Sequence, residues 1–267
     1  MAKPRALILT GYGINCDYET RFAFELAGAE AERVHVNDLI DGRSKLSDHQ
    51  ILAFPGGFSY GDDIASGKVL ANRVKMNLGE MIAGFVESGG LILGVCNGFQ
   101  VLVKYGLLGL DENKRNQTVT LTYNDSNRYE DRWVHLRTIS NACVFTRGID
   151  RLYLPVAHGE GKFFASETDL ESLFAGGQVA LGYADADGRP ADGRYPENPN
   201  GSVFDIAGLS DPTGRIFGLM PHPERFLHFT CQPEWTRIRE ALKRDGGEIP
   251  TEGQGLMIFR NAVEYFS

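Results

Sequence analysis

The chain has 267 residues, 42% of them apolar, with 27 Lys and Arg against 35 Asp and Glu for a net charge of −8. That length holds one large α/β domain or two small ones, and the acidic balance argues against a general nucleic-acid binder, which needs a basic face. No stretch of ~18 apolar residues occurs and no signal-peptide pattern opens the chain, so neither secretion nor a membrane span is expected.

The first hundred residues read as strands alternating with helices. Ala6-Leu7-Ile8-Leu9 is a short apolar strand closed by Thr10-Gly11, and a helical pattern with Phe22, Phe24, Leu26 and Ala27 runs to Gly28. Arg33–Val36 and Gln50–Phe54 are the next two strands, the latter cut off by Pro55-Gly56-Gly57. An amphipathic stretch from Ile64 to Glu87 is expected to hold more than one helix. Leu91-Ile92-Leu93-Gly94 is the fourth strand. This alternation predicts a parallel sheet covered on both faces, with ligands beyond the carboxyl ends of its strands.

Further on the character changes. Val119–Tyr123, Trp133–Arg137, Leu152–Val156, Val179–Tyr183 and Val203–Ile206 read as strands without helices between them, an antiparallel insertion or extension. The loop from Asp185 to Gly201 is dense in Gly, Pro, Asn and Asp and is expected to be mobile. Ile216–Met220 is another apolar strand, and helical patterns near Glu234–Lys243 and Leu256–Phe266 close the chain. With no internal repeat and no low-complexity linker, one domain over residues 1–267 is the expected count.

Chemistry concentrates at Gly94-Val95-Cys96-Asn97-Gly98-Phe99-Gln100. A cysteine with glycines two residues to either side, between an apolar strand and a helix, is the thiol form of a nucleophile elbow. A helix N-terminus lowers a thiol's pKa and offers backbone amides to an oxyanion. Cysteine is more often an inert buried hydrophobe, so the neighbours decide. A catalytic thiol needs a base, and the base an orienting group. Of six histidines, His35, His49 and His135 read as surface or satisfied core residues, and His158 precedes Gly159-Glu160-Gly161 and could face a site. His222 is braced by Pro221 and Pro223, with Glu224 two residues on; Glu224 can hold one ring nitrogen while the other faces Cys96. An oxyanion needs two donors: the Asn97 amide is one, and the Pro55–Asp63 turn, with Gly57 and Phe58 at its head, is expected to supply the other. Cys16, Cys96, Cys143 and Cys231 lie far apart with no zinc-ligand spacing and no disulfide framework, which suits a reducing, cytoplasmic setting.

The elbow with a downstream Pro221-His222-Pro223-Glu224 resembles the class I (triad) glutamine amidotransferases. The segments Gly13–Asp17 with Glu19-Thr20, Pro55–Asp63, Pro155–Gly161, Asn198–Ser202 and Met220–Arg225 narrow the resemblance to the glutaminase subunits of phosphoribosylformylglycinamidine synthases. It implies a flavodoxin-like α/β fold with a mostly parallel central sheet flanked by helices and an antiparallel extension. It further implies Cys96 as nucleophile toward L-glutamine, His222 as base and then acid, Glu224 as its orienter, a glutamyl thioester hydrolysed by water, and Gln100 in contact with the bound glutamine. Ammonia would pass to a separate synthetase subunit in purine biosynthesis, which carries ATP and Mg; this chain would hold no cofactor and no metal. A third small subunit is implied only by resemblance to multi-chain versions of the enzyme. The role of Cys16 stays open between structural and substrate-adjacent. Three alternatives remain: an amidotransferase of another pathway, a γ-glutamyl hydrolase, and a non-catalytic regulatory subunit. Activity that awaits the partner is also expected, since free hydrolysis would waste glutamine.

Overall fold

The computed structural model describes residues 3–111 and 116–267. The strands are β1 (Arg5–Thr10), β2 (Glu30–His35), β3 (Ile51–Phe54), β4 (Leu91–Val95), β5 (Thr120–Thr122), β6 (Glu130–Thr138), β7 (Arg151–His158), β8 (Lys162–Phe164), β9 (Val179–Ala184), β10 (Ile206–Ser210) and β11 (Ile216–Leu219). The helices are α1 (Asp17–Leu26), α2 (Val36–Ile40), α3 (Lys68–Glu87), α4 (Asn97–Tyr105), α5 (Glu167–Ala175), α6 (Trp235–Arg244) and α7 (Leu256–Glu264).

Nine strands form one sheet in the order β2-β1-β3-β4-β11-β10-β9-β6-β7. From β2 to β11 all pairings are parallel, and from β11 to β7 all are antiparallel. The antiparallel strands therefore extend the same sheet and are not an inserted layer. Among the described residues only β5 and β8 stand apart, as an antiparallel pair. Strands β3, β4 and β11 are buried along their whole length, as expected where helices cover both faces of a parallel sheet. Their continuous apolar runs are what made them readable.

The strand order reverses between β1 and β3, because β1 leads outward to β2 and the chain then returns to the other side of β1. Such a reversal opens a crevice at the carboxyl ends. The chain leaves β1 toward Cys16, β3 toward Gly56-Gly57, β4 into Cys96 and β11 toward His222. Four segments of interest thus meet at one edge.

Three expectations need correcting. Residues 64–87 hold one α-helix, Lys68–Glu87, with Leu70, Ala71, Val74, Leu78, Ile82 and Phe85 buried along one stripe. Gly79 and Gly84 lie inside this helix without breaking it; a glycine costs only about 1 kcal/mol in a helix interior. Val203–Ile206 is not a strand: Val203–Asp205 is a 3₁₀ turn with Phe204 at φ 50°, and the strand starts at Ile206. The loop 185–201 is tied down. Asp205 accepts the amides of Asp192 (2.7 Å) and Gly193 (2.9 Å) and the Asn198 side chain (2.9 Å), satisfying backbone that would otherwise sit free. Helix α5 was missed, although Ser166 caps it by accepting the Asp169 amide at 3.2 Å, a Ser-x-x-Asp start that the sequence carries.

Candidate active site

Strand β4 delivers Cys96 at φ 51° and ψ −106°, a conformation that non-glycine residues adopt only under strain, of order 1–3 kcal/mol. The Cys96 amide donates to Leu219 O at 2.8 Å and its carbonyl accepts the Gln100 amide at 3.1 Å. The elbow is thereby locked between β11 and α4. Gly98 makes this turn possible: a Cβ there would overlap the Phe54 carbonyl oxygen at the end of β3. The thiol is buried and points to Ala157 O at 3.6 Å. Asn97 opens α4, so its amide has no acceptor within the helix and faces the same edge.

His222 follows β11, and its own amide is fixed on Pro155 O at 2.8 Å. Its Nδ1 lies 2.6 Å from Glu224 Oε1, both side chains being buried. Burial pushes the imidazole toward neutrality, but Glu224, Cys96 and Cys16 outweigh it and hold its pKa well above the ordinary value. Nε2 has no hydrogen-bond partner among the described residues. Both thiols lie near enough to favour imidazolium, yet neither closes a bond to Nε2.

Cys16 belongs to the same cluster. Donor atoms of Cys16, His222 and Glu224 all lie within 4.8 Å of one another, and Arg225 donates to Cys16 Sγ at 3.3 Å. Since Nδ1 is already committed to Glu224, this group is a hydrogen-bonded network before it is an ion cage. The 13–16 loop and the Gly56-Gly57 turn are stitched together: Asn15 and Cys16 donate to Gly56 O at 3.3 and 3.2 Å, and Phe58 donates to Gly13 O at 2.7 Å. The Phe58 amide is therefore occupied. The two bonds of the Ile14–Gly57 bridge are those of Asn15 and Phe58 and use no group of Gly57 itself.

A family model for the CobB/CobQ-like glutamine amidotransferase domain matches residues 3–266. The chain belongs to the CobB/CobQ-like glutamine amidotransferase family. It is 50% identical, over 99% of its length and 98% of the relative's, to phosphoribosylformylglycinamidine synthase subunit PurQ of Methanococcus maripaludis. It is 52% identical to the subunit of that name from Dehalococcoides mccartyi, over 99% of this chain and 98% of the other. Among solved structures, PurLQS from Thermotoga maritima aligns at TM-score 0.70 and 31% identity, covering 100% of both chains.

This amidotransferase surrounds its elbow with a buried polar network. The Gln100 side chain donates to Glu160 O at 2.6 Å and accepts from Asn97 Nδ2 at 2.9 Å. Asn97 also donates to Asp62 Oδ1 at 3.1 Å and accepts the Ser59 amide at 3.1 Å. Asp62 further accepts from the Ser66 hydroxyl (3.0 Å) and the Gly67 amide (3.1 Å). Burial raises the Asp62 pKa against these donors. Lys104, one turn beyond Gln100, donates to Ser66 O and lies 3.9 Å from Glu160 Oε2. Burial lowers the Lys104 pKa, and Glu160 and Asp62 oppose that.

His158 is a further buried group. Asn124 Oδ1 lies 3.1 Å from its Nδ1 and Asn200 Nδ2 lies 3.4 Å from its Nε2. Burial, helped by His222, takes its pKa down to about 3, so it is a neutral brace. Of the residues picked from the sequence, Cys96, Asn97, Gln100, His222, Glu224, Gly57 and Phe58 all lie on the loops at this carboxyl edge or on the start of α4. Asp62, Glu160 and Arg225 were quoted only as parts of motifs. Lys104 carried no signal, because a lysine in a helix ordinarily reads as a solvated face.

Proposed function

We propose that the chain is the glutaminase subunit of a phosphoribosylformylglycinamidine synthase, acting through a Cys96–His222–Glu224 triad. The observation that carries this is the strained Cys96 elbow at the end of β4 beside the buried His222–Glu224 pair at the end of the adjacent β11. The names of the relatives at 50% and 52% identity supply the pathway.

In this reading His222 takes the Cys96 proton, and the thiolate adds to the side-chain amide carbon of L-glutamine. The oxyanion is met by the free amide of Asn97, with Gly57 as the second donor because the Phe58 amide is engaged. His222 then gives its proton to departing ammonia, leaving a glutamyl thioester. Water activated by the same imidazole releases glutamate. Glu224 fixes the ring and stabilises the imidazolium. Gln100 and the rim formed by Gly57 and Phe58 hold the substrate. None of these steps calls on a cofactor in this chain; ATP and Mg belong with the synthetase partner. The chain works as one domain in a cytoplasmic complex, and no helix among the described residues is long and apolar enough to cross a membrane.

The open Nε2 and the turn of the Cys96 thiol toward Ala157 O support a resting state completed by the partner. With the synthetase present, Cys96→Ser is expected to abolish glutamine-supported amidine formation and to spare ammonium-supported formation. Retained glutamine-supported synthesis would sink the nucleophile assignment. Equal glutamine hydrolysis with and without the synthetase would sink the gating.

A further inference from the structure

Three segments meet at the start of α4, next to Cys96: the helix itself, the 59–67 loop after β3, and the 159–161 turn after β7. Each is held to the others through side chains, and the contacts converge on one cation. Lys104 is 7% exposed. Its ammonium donates to the Ser66 carbonyl of the loop and faces the Glu160 carboxylate of the turn at 3.9 Å. Glu160 Oε2 also accepts the Ser66 amide at 3.3 Å, so Ser66 is gripped from both of its backbone groups. From there Asp62 reaches Asn97, and the Glu160 carbonyl reaches Gln100.

A buried ammonium is costly unless paired, and a carboxylate left behind without it is costlier still. Asp62 and Glu160 both lie close enough for their charges to act on Lys104. Replacing Lys104 by an apolar residue takes the ammonium from two half-buried carboxylates, with Lys68 the other cation acting at the site, and frees the Ser66 carbonyl. The loop and the turn then relax away from α4. The elbow itself is held elsewhere, by Leu219 and by the approach of Gly98 to Phe54, so Cys96 does not depend on the lysine.

We infer that Lys104 is a positioning residue for the glutamine pocket: its ammonium clamps the 59–67 loop and the 159–161 turn onto the nucleophile helix and so places Gln100 and the Asn97-held turn against substrate. It acts through Gln100 and Asn97 and touches no reacting atom. The inference rests on the reading that Gln100 and the 57–59 turn contact glutamine.

The test compares two electrophiles on Cys96 in the synthetase complex. 6-Diazo-5-oxo-L-norleucine must occupy the glutamine pocket to react, whereas iodoacetamide need not. Lys104→Met is expected to raise KM for glutamine roughly tenfold to a hundredfold, the range for losing a hydrogen bond to a charged group, with kcat changed far less. Labelling by the glutamine analogue slows by the same factor, while iodoacetamide labelling and ammonium-supported synthesis stay as in the wild type. Lys104→Arg restores most of the loss, and Glu160→Gln reproduces it in weaker form. Equal slowing of both electrophiles, or of neither, overturns the clamp. If Lys104→Met fails to fold, Glu160→Gln decides, and an absent selective loss there overturns it as well. The two readings fail differently: a wrong function leaves Cys96→Ser active with glutamine, whereas a wrong clamp leaves Cys96→Ser dead and Lys104→Met normal.

Discussion

Replacing Glu224 by glutamine keeps the shape of the side chain and removes its charge. The carboxylate is 2.6 Å from His222 Nδ1 and both groups are buried. Two opposing effects act on the ring, burial favouring neutral imidazole and Glu224 leading the groups that favour imidazolium. Without the carboxylate, Cys96 and Cys16 alone oppose burial, so the ring pKa falls. With charge centres roughly 4 Å apart and an effective dielectric of about 20, the attraction is about 4 kcal/mol. At about 1.4 kcal/mol per decade that is a loss of roughly a thousandfold in glutamine-supported turnover, since imidazolium must form when the thiol gives up its proton. The assay is product formation by the synthetase complex with glutamine, and with ammonium as control, which stays unchanged. A second measurement is the pH titration of the His222 ring protons by NMR, whose midpoint falls in the variant.

Stability gives an independent sign. A histidine whose folded pKa lies above its unfolded value of about 6.5 contributes stability that is fully present below that value and is lost as pH rises through the folded pKa. The stability gap between wild type and Glu224→Gln is therefore largest near and below about pH 6.5 while Glu224 remains ionised, and closes in alkali. Turnover within threefold of wild type, or a gap that widens in alkali, would refute the assignment of Glu224 as the orienter.

His158 carries the opposite sign: its folded pKa is lowered to about 3, so its contribution is intact above about pH 6.5 and drains as pH falls toward 3, by about 1.4 kcal/mol per unit. Urea unfolding between pH 6.5 and 4 should show that slope, and His158→Gln should flatten it. Gly98→Ala places a methyl group on the Phe54 carbonyl and is expected to cost more than about 3 kcal/mol, because backbone on both sides must move; a thermal midpoint near wild type would mean that the elbow does not depend on that close approach. Among the four thiols, exposed Cys231 should react first with a bulky disulfide reagent. Cys143, buried and with its pKa pushed up to about 12, should react only on unfolding. Mass mapping of the modified thiols checks both.

What was legible in the sequence shares one property: it is written in neighbouring residues. The elbow needs Gly94, Cys96 and Gly98 within five positions, because the turn itself imposes the spacing. The buried His222–Glu224 pair needs an offset of two residues, which lets one short loop carry both. Strands β3, β4 and β11 are continuous apolar runs because helices cover both faces. The errors came where a local pattern met a distant constraint. Val203-Phe204 has strand composition, but Asp205 turns back to hold the 192–198 loop, which drives the backbone into a 3₁₀ turn before β10. Within the 55–63 turn, the Phe58 amide is taken by Gly13, far away in sequence.

Lys104 is the limiting case. Its three-way contact joins segments that come together only when β3, β4 and β7 are all in place, and nothing within ten residues of it marks the role. The Cys96 elbow is dictated by the turn that presents it, so sequence shows it. The loops tied to α4 come from other strands, and their contacts appear only once the sheet has set their order.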